Sequence, residues 1–252
     1  MELNKIYQGD CLEVMKQIED NSIDLVIIDP PYDLVNIEDL AILIKSKIKH
    51  NSSIWIFGNF KFIAEIKVTF SKYFKFNNWI IWIKGTRASS KKLLTSTHDD
   101  LLFFTNSGDY TFNLDNIRIP YDDSAIKWYK RYSGRYNYKK VFKLNENGKN
   151  PSDVWIFPFI QGKAKDSVKH PHQKPIGLIE RIIKLSSNKN DLILDCFMGS
   201  GTTAIACIRT NRNYIGMELS EDYVKISNER IQKELSQSKL NLTEGKFFSF
   251  QP

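Results

Sequence analysis

The sequence predicts an α/β fold: a mostly parallel sheet covered by helices on both faces. Three observations carry it. Asp24–Ile28 and Leu192–Cys196 are short β-branched runs with no polar face, as strands buried on both sides require. Stretches with helical spacing follow the strands, and alternating strands and helices build parallel sheets. A glycine-rich turn, Gly199-Ser200-Gly201, joins one such strand to the next helix. The chain has 252 residues, 42% of them hydrophobic, enough for one α/β domain with a core of ordinary size.

In chain order, Asp24–Ile28 stops at Asp29-Pro30-Pro31-Tyr32, where proline cannot continue a ladder. Ile37, Leu40, Ala41, Ile44 and Ile48 then recur at helical spacing. Ser53–Phe57 is the next strand, and Phe60–Tyr73 the next helix. Trp79–Lys84 and Asp100–Thr105 are two strands joined by a polar loop. Regular patterning fades from Asn106 to Lys169, predicting an irregular insertion at about 108–169 within a single domain. Regularity returns at Pro175, a suitable first helical residue, with Ile176, Ile179, Ile182 and Ile183 behind it. Leu192–Cys196, a helix over Thr202–Arg209, a strand Tyr214–Glu218 and a helix opening at Ser220 complete the pattern.

Composition narrows the class. No apolar run approaches the ~18–20 residues of a membrane-spanning helix, and the N-terminus shows neither a basic region nor an apolar one behind it. Three cysteines, Cys11, Cys196 and Cys207, lack CxxC spacing. They argue against a disulfide scaffold and a zinc site, and for the reducing cytoplasm; no ligand cluster suggests a metal. The net charge of +7 suits a polyanionic partner. Between Lys127 and Lys149 eight basic residues stand against one acid and interleave with six aromatics. Lys127, Lys130, Arg131, Arg135, Lys139 and Lys140 are the candidate phosphate contacts there. A solvated loop is the competing reading, and the Lys84–Lys92 loop is the second candidate for nucleic acid.

Two constellations carry chemistry. Leu194 to Ala204 runs strand, Gly-x-Gly turn, helix, and Glu218 ends the following strand. Glycines let backbone approach a ligand at the sheet's carboxyl edge, and the acid is placed for ribose hydroxyls. A turn that needs glycine for geometry alone is the competing reading. Only 34 residues follow Glu218, so the N-terminal strands must complete the sheet in a permuted order. That disfavours a dinucleotide and leaves room for a cofactor with one nucleoside. The second constellation, Asp29-Pro30-Pro31-Tyr32, follows a buried strand directly. The Asp29 carboxylate and the Pro30 carbonyl can both accept from one exocyclic amine, and Tyr32 can stack on the ring that bears it.

These motifs in this order resemble the beta-class amino-methyltransferases of bacterial restriction–modification systems, over roughly residues 4 to 235. His170-Pro-His-Gln-Lys-Pro175, Ile6 to Cys11 and Asn113 to Pro120 resemble further segments of that family. The resemblance implies a Rossmann-like methyltransferase fold, S-adenosyl-L-methionine as cofactor and double-stranded DNA as substrate, with a flipped adenine methylated at N6. It assigns Asp29, Pro30, Pro31 and Tyr32 to the target base, with Asp29 also near the cofactor's amino group. Asp10 and Cys11 would hold its adenine, Glu218 its ribose, and Phe197, Gly199, Ser200, Gly201 and Thr202 its methionine part, with Asp195 a further cofactor-binding residue. His170 and Lys174 would lie near its carboxylate. Asp10 as a plain helix cap is the alternative for that residue. A cognate endonuclease and a homodimer are further implied partners. Carbon-5 cytosine chemistry needs a Pro-Cys pair, which the sequence lacks. Cytosine N4 methylation, a catalytically weak nucleic-acid-binding protein of this fold and a nucleotide-dependent oxidoreductase are the rival functions. One departure from the family stands out: Asp33–Asn36 leads almost at once into a helix, where a longer loop is usual.

Overall fold

The computed structural model describes residues 1–31, 35–85, 92, 94–132, 144–160 and 173–243, with backbone alone at 128–132 and 238–243. The described residues form one eight-stranded sheet. Its strands are β1 (Lys5–Gln8), β2 (Ile23–Ile28), β3 (Ile48–Gly58), β4 (Lys75–Ile83), β5 (His98–Thr105), β6 (Val154–Ile156), β7 (Leu192–Asp195) and β8 (Asn213–Glu218). The helices are α1 (Cys11–Val14), α2 (Ile37–Lys47), α3 (Ile63–Phe70), α4 (Asp123–Tyr132), α5 (Ile176–Ser186), α6 (Thr202–Thr210) and α7 (Glu221–Thr243).

Across the sheet the order is β1-β8-β7-β2-β3-β5-β4-β6. β5 alone runs against its neighbours; every other pairing is parallel. The N-terminal strands do complete the sheet: Leu25 and Val26 pair with Ile193 and Leu194, and Lys5–Gln8 with Ile215–Glu218.

Alternation along the strands divides the core in two. Leu25, Ile27, Trp55, Phe57, Leu101 and Phe103 face α5, α6 and Ile231 of α7. Val26, Ile28, Ile54, Ile56, Leu102 and Phe104 face α1, α2 and α3. All twelve are buried, which is why these strands read as continuous apolar runs.

Several boundaries differ from the sequence expectation. Ile48 heads β3 instead of ending α2, and its N–H still donates to Ile44 O as the helix stops. α3 starts at Ile63, because the Asn59 carbonyl accepts the N–H groups of Phe62 and Ile63 in a turn that uses up the preceding residues. β4 starts at Lys75, where a register shift between Phe76 and Asn78 disturbs the alternation. β1 and β6 were too short to show a period.

The stretch 108–169 is not irregular throughout. It holds a 3-10 turn at Leu114–Ile117, α4, and β6, which adds to the main sheet beside β4. Before and after α4 the chain closes into a neck. Ile119 and Lys149 exchange both backbone hydrogen bonds, at 3.1 and 2.9 Å. Asp122 pairs with Lys149 at 2.8 Å and caps α4 through the Ala125 N–H. Arg118 bridges to the Gly148 carbonyl at 3.2 Å. Gly148 sits at φ +103°, and a Cβ there would lie 2.4 Å from the Ile119 carbonyl oxygen. Gly148→Ala should therefore open the neck while sparing the sheet. Amide exchange at Ile119 and Lys149 should speed up at least tenfold, roughly 1.4 kcal/mol of local stability, with Leu102 unchanged. Unaltered exchange at both amides would show that the neck tolerates the side chain.

Candidate active site

In a parallel sheet the carboxyl ends of the strands share one edge, where ligands of α/β folds bind. Here that edge presents, in spatial order, Asp10 beyond β1, Glu218 at β8, Asp195 and the glycine turn at β7, Asp29 beyond β2, and Phe57 near the end of β3. Three strand spacings separate β1 from β2, about 14 Å at ~4.8 Å each. That span suits an adenosine joined to an amino acid. Residues 165 positions or more apart in the chain thus become neighbours by strand order alone.

A small cleft opens at the centre of this edge, lined by Ile27, Asp29, Phe57, Lys174, Ile179, Asp195, Phe197, Met198, Gly199, Ser200, Thr202 and Thr203. Lys174 forms an ion pair with Asp29 through Oδ2, and its Nζ lies 5.1 Å from the centre of the Phe57 ring. Pro30 is buried and Pro31 exposed. Tyr32 and His170 lie outside the described residues.

The turn after β7 is built for close approach. Gly199 and Gly201 take φ of +51° and +78°. A Cβ on Gly201 would come within 2.8 Å of the Ser227 Cβ of α7. Arg230, also on α7, donates to the Ser200 carbonyl from behind. With carbonyl and glycine held from outside, the turn is fixed against the cleft.

Glu218 accepts from the Gly199 N–H at 2.8 Å through one oxygen and from the Ser220 N–H at 2.9 Å through the other. Each carboxylate oxygen has a second acceptor site, so these bonds orient the group and leave it able to accept hydroxyls. Asp10 caps α1, its Oδ1 accepting from the Leu12 and Glu13 N–H groups at 2.8 and 3.4 Å. The capping role read as an alternative is therefore real. Cap and edge position coincide, since the Gly9 N–H donates to the Glu218 carbonyl at 3.0 Å.

Asp195 is 6% exposed. Its Oδ1 accepts from the Phe197 N–H at 2.9 Å and its Oδ2 from the Thr203 hydroxyl at 2.5 Å. Burial pushes its pKa up to about 7; those two bonds oppose the rise, and the nearby Asp29 and Glu218 carboxylates add to it. Among the described residues, Asp29, Asp195 and Glu218 thus share this sheet edge with the Lys174 ammonium. A donor set so rich in carboxylates fits a cationic sulfonium cofactor carrying ribose hydroxyls. Burial also raises the thiol pKa of Cys11 to about 11, and those of Cys196 and Cys207 upward too, so none is poised as a nucleophile.

Sequence reading missed Ile27, Phe57, Ile179, Met198 and Thr203 in the lining, and the braces Ser227 and Arg230. Phe57 was visible only as a strand end; its place beside Asp29 depends on the β2–β3 register, Ile28 opposite Ile56. Of the candidate nucleic-acid contacts, Lys127 is exposed on α4, where Lys130 and Arg131 also lie. Arg135, Lys139 and Lys140 fall outside the described residues. Lys84 is withdrawn from the second candidate surface: it is buried in an ion pair with Asp99.

Comparison with known proteins identifies the family. The model of the N6/N4 methyltransferase family, described as DNA methylase, matches residues 23–229. The type II methyltransferase M1.MboII of Moraxella bovis is 38% identical over 252 residues, covering 90% of this chain and 96% of the relative. The DNA adenine methyltransferase YhdJ of Escherichia coli (strain K12) is 29% identical over 253 residues, covering 91% and 83%. In fold, the crystal structure of the M1.HpyAVI–SAM complex matches with a TM-score of 0.67 at 24% identity, over 90% of this chain and 98% of that one. From the Asp-Pro-Pro tip of β2 to the acid at the end of β8, this chain belongs to the DNA methylase family, and it is a DNA methyltransferase.

Proposed function

We propose that the protein transfers a methyl group from S-adenosyl-L-methionine to the exocyclic N6 of an adenine flipped out of double-stranded DNA. The observation that carries this reading is the shared cleft: Asp29 opens onto the same space as the Gly199–Thr202 turn, with Glu218 bonded to that turn. When bound, the cofactor supplies an electrophilic methyl group on a sulfonium. Asp10 and Glu218 would take its adenosine, and Asp195 with residues 197–202 its methionine part. Asp29 and the Pro30 carbonyl would each accept from the target amine, drawing its lone pair out of conjugation and toward the methyl group. The Asp29 carboxylate then holds the departing proton near the cleft. Lys174 orients Asp29 through Oδ2. Tyr32 is assigned base stacking on its sequence position. The base must leave the helix because its amine cannot otherwise reach the strand tips.

Adenine as the target is supported by the name of the YhdJ relative. The family model also spans N4 chemistry, and a cytosine amine would meet the same two acceptors. Single-molecule sequencing of DNA from an expressing host tests the choice directly. N6-methyladenine in one motif is expected, whereas N4-methylcytosine alone would replace this reading. The stretch 108–169 is assigned target recognition, with Lys127 and its neighbours on phosphate. A cytoplasmic location, a cognate endonuclease for the same site and self-association complete the proposal.

Asp29→Ala should lower methyl incorporation at least ~10²-fold, the scale for one well-placed polar catalytic group. Tritiated-methyl transfer within a few-fold of wild type would remove Asp29 from the mechanism. Glu218→Ala should weaken S-adenosyl-L-methionine binding roughly 10- to 150-fold. Unchanged calorimetric affinity would sink the ribose assignment.

Asp195 predicts a pH dependence of stability. Its folded pKa of about 7 lies above the ordinary 3.8, so the folded state keeps a proton that the unfolded chain releases between those values. The stabilising contribution is complete below about pH 4 and is lost as pH rises through about 7. Asp195→Asn keeps an acceptor for the Phe197 N–H and cannot ionise. Urea midpoints of wild type should fall between pH 5 and 7.5 by more than those of the variant; parallel profiles would assign the slope elsewhere.

A further inference from the structure

The edge beyond Asp29 carries an ordered turn that the chemistry above leaves unused. β2 and β3 are parallel neighbours with Ile28 opposite Ile56. Asp29 therefore lies level with Phe57, and both line the cleft. Gly58-Asn59-Phe60-Lys61 continues past that level, one strand away from Pro30-Pro31. Within it Phe60 is 75% exposed.

A single exposed apolar side chain is ordinary on a protein surface. Three features set this one apart. The turn is rigid: the Asn59 side chain accepts the Lys61 N–H at 2.9 Å, and its carbonyl accepts the N–H groups of Phe62 and Ile63 at 3.1 and 3.0 Å. Gly58 packs so closely that a Cβ there would meet Ile63 Cδ1 at 2.3 Å. The backbone that carries the exposed ring is thus braced on both sides. Second, an exposed cation, Lys61, adjoins it, and the chain's net charge is +7. Third, the turn stands beside the group that would grip the extruded base.

We propose that Phe60 is a DNA-contacting positioning residue. Its ring stacks into the duplex at the place vacated by the flipped base, while Lys61 meets a flanking phosphate. Extruding a base removes two stacking contacts, and an aromatic ring carried on an already braced backbone restores part of that loss with less ordering to pay for. This inference rests on the reading of the Asp29 cleft as a methylation site for flipped bases.

The test uses the full chain and a duplex bearing the motif that sequencing reports, with 2-aminopurine at the target position. Wild type should raise its fluorescence on binding; if it does not, the flipped-base reading itself fails. Given that rise, Phe60→Ala should reduce it and, on the same duplex with adenine at the target, lower kcat/KM roughly 5- to 150-fold, the range for one base–aromatic stack. Phe60→Trp should retain most of both, and S-adenosyl-L-methionine affinity should stay at the wild-type value in either variant. On a duplex whose target is mismatched, and so already less stacked, the alanine deficit should shrink. Wild-type behaviour of Phe60→Ala, or an equal deficit on matched and mismatched duplexes, overturns the proposal. Lys61→Ala should lower the salt slope of DNA binding by about one unit.

Discussion

The pairing of β2 with β7 is the contact on which the site depends. Leu25 and Val26 lie against Ile193 and Leu194, and continuing this parallel register brings Asp29 level with Phe197, where the glycine turn begins. Either half alone is incomplete. The N-terminal strands carry the carboxylate and prolines proposed to hold a base, and the C-terminal strands carry the turn and acid proposed to hold the cofactor. A shift of one residue along the seam would turn Ile27 and Val26 to opposite faces and exchange the two cores. Burial of both faces therefore fixes the register to which the chemistry is tied.

Charge at the edge follows from the same geometry. Three strand ends place Asp29, Asp195 and Glu218 close together, a concentration of negative charge that a free surface would relieve by solvation. The protein offsets it with backbone N–H groups on Glu218 and Asp195, with the Thr203 hydroxyl, and with Lys174 on Asp29. The pKa of Asp195 stays raised all the same, chiefly through burial, with the neighbouring carboxylates adding to it. Strain of this kind at a cleft is expected where a cation is to be received.

The sequence was most legible where one principle acted alone. β2, β7 and β8 were visible because strands buried on both faces are apolar throughout, and the glycine turn because positive φ excludes most other residues. Less legible were features set by contacts between distant segments. Lys84 looked like part of a basic loop, yet pairing with Asp99 buries it. Val154–Ile156 gave no signal because three residues cannot display a period, and only the neighbouring β4 makes them a strand. Ser227 and Arg230 sit on a helix whose pattern says nothing about the turn they brace.

The pairing of Lys5–Gln8 with Ile215–Glu218 has a consequence for how the protein is made. A ribosome releases β1 long before β8, and β2 long before β7, so each waits with one open edge for most of synthesis. The proposed base-holding group is built early, but the cleft closes only when the last strands insert between the first two. Such long-range closures are slow and come late in folding. A ligand that bridges β8 and β7 to β2 stabilises only chains that have completed this insertion. Cofactor supply would thus act on the yield of finished molecules as well as on their turnover.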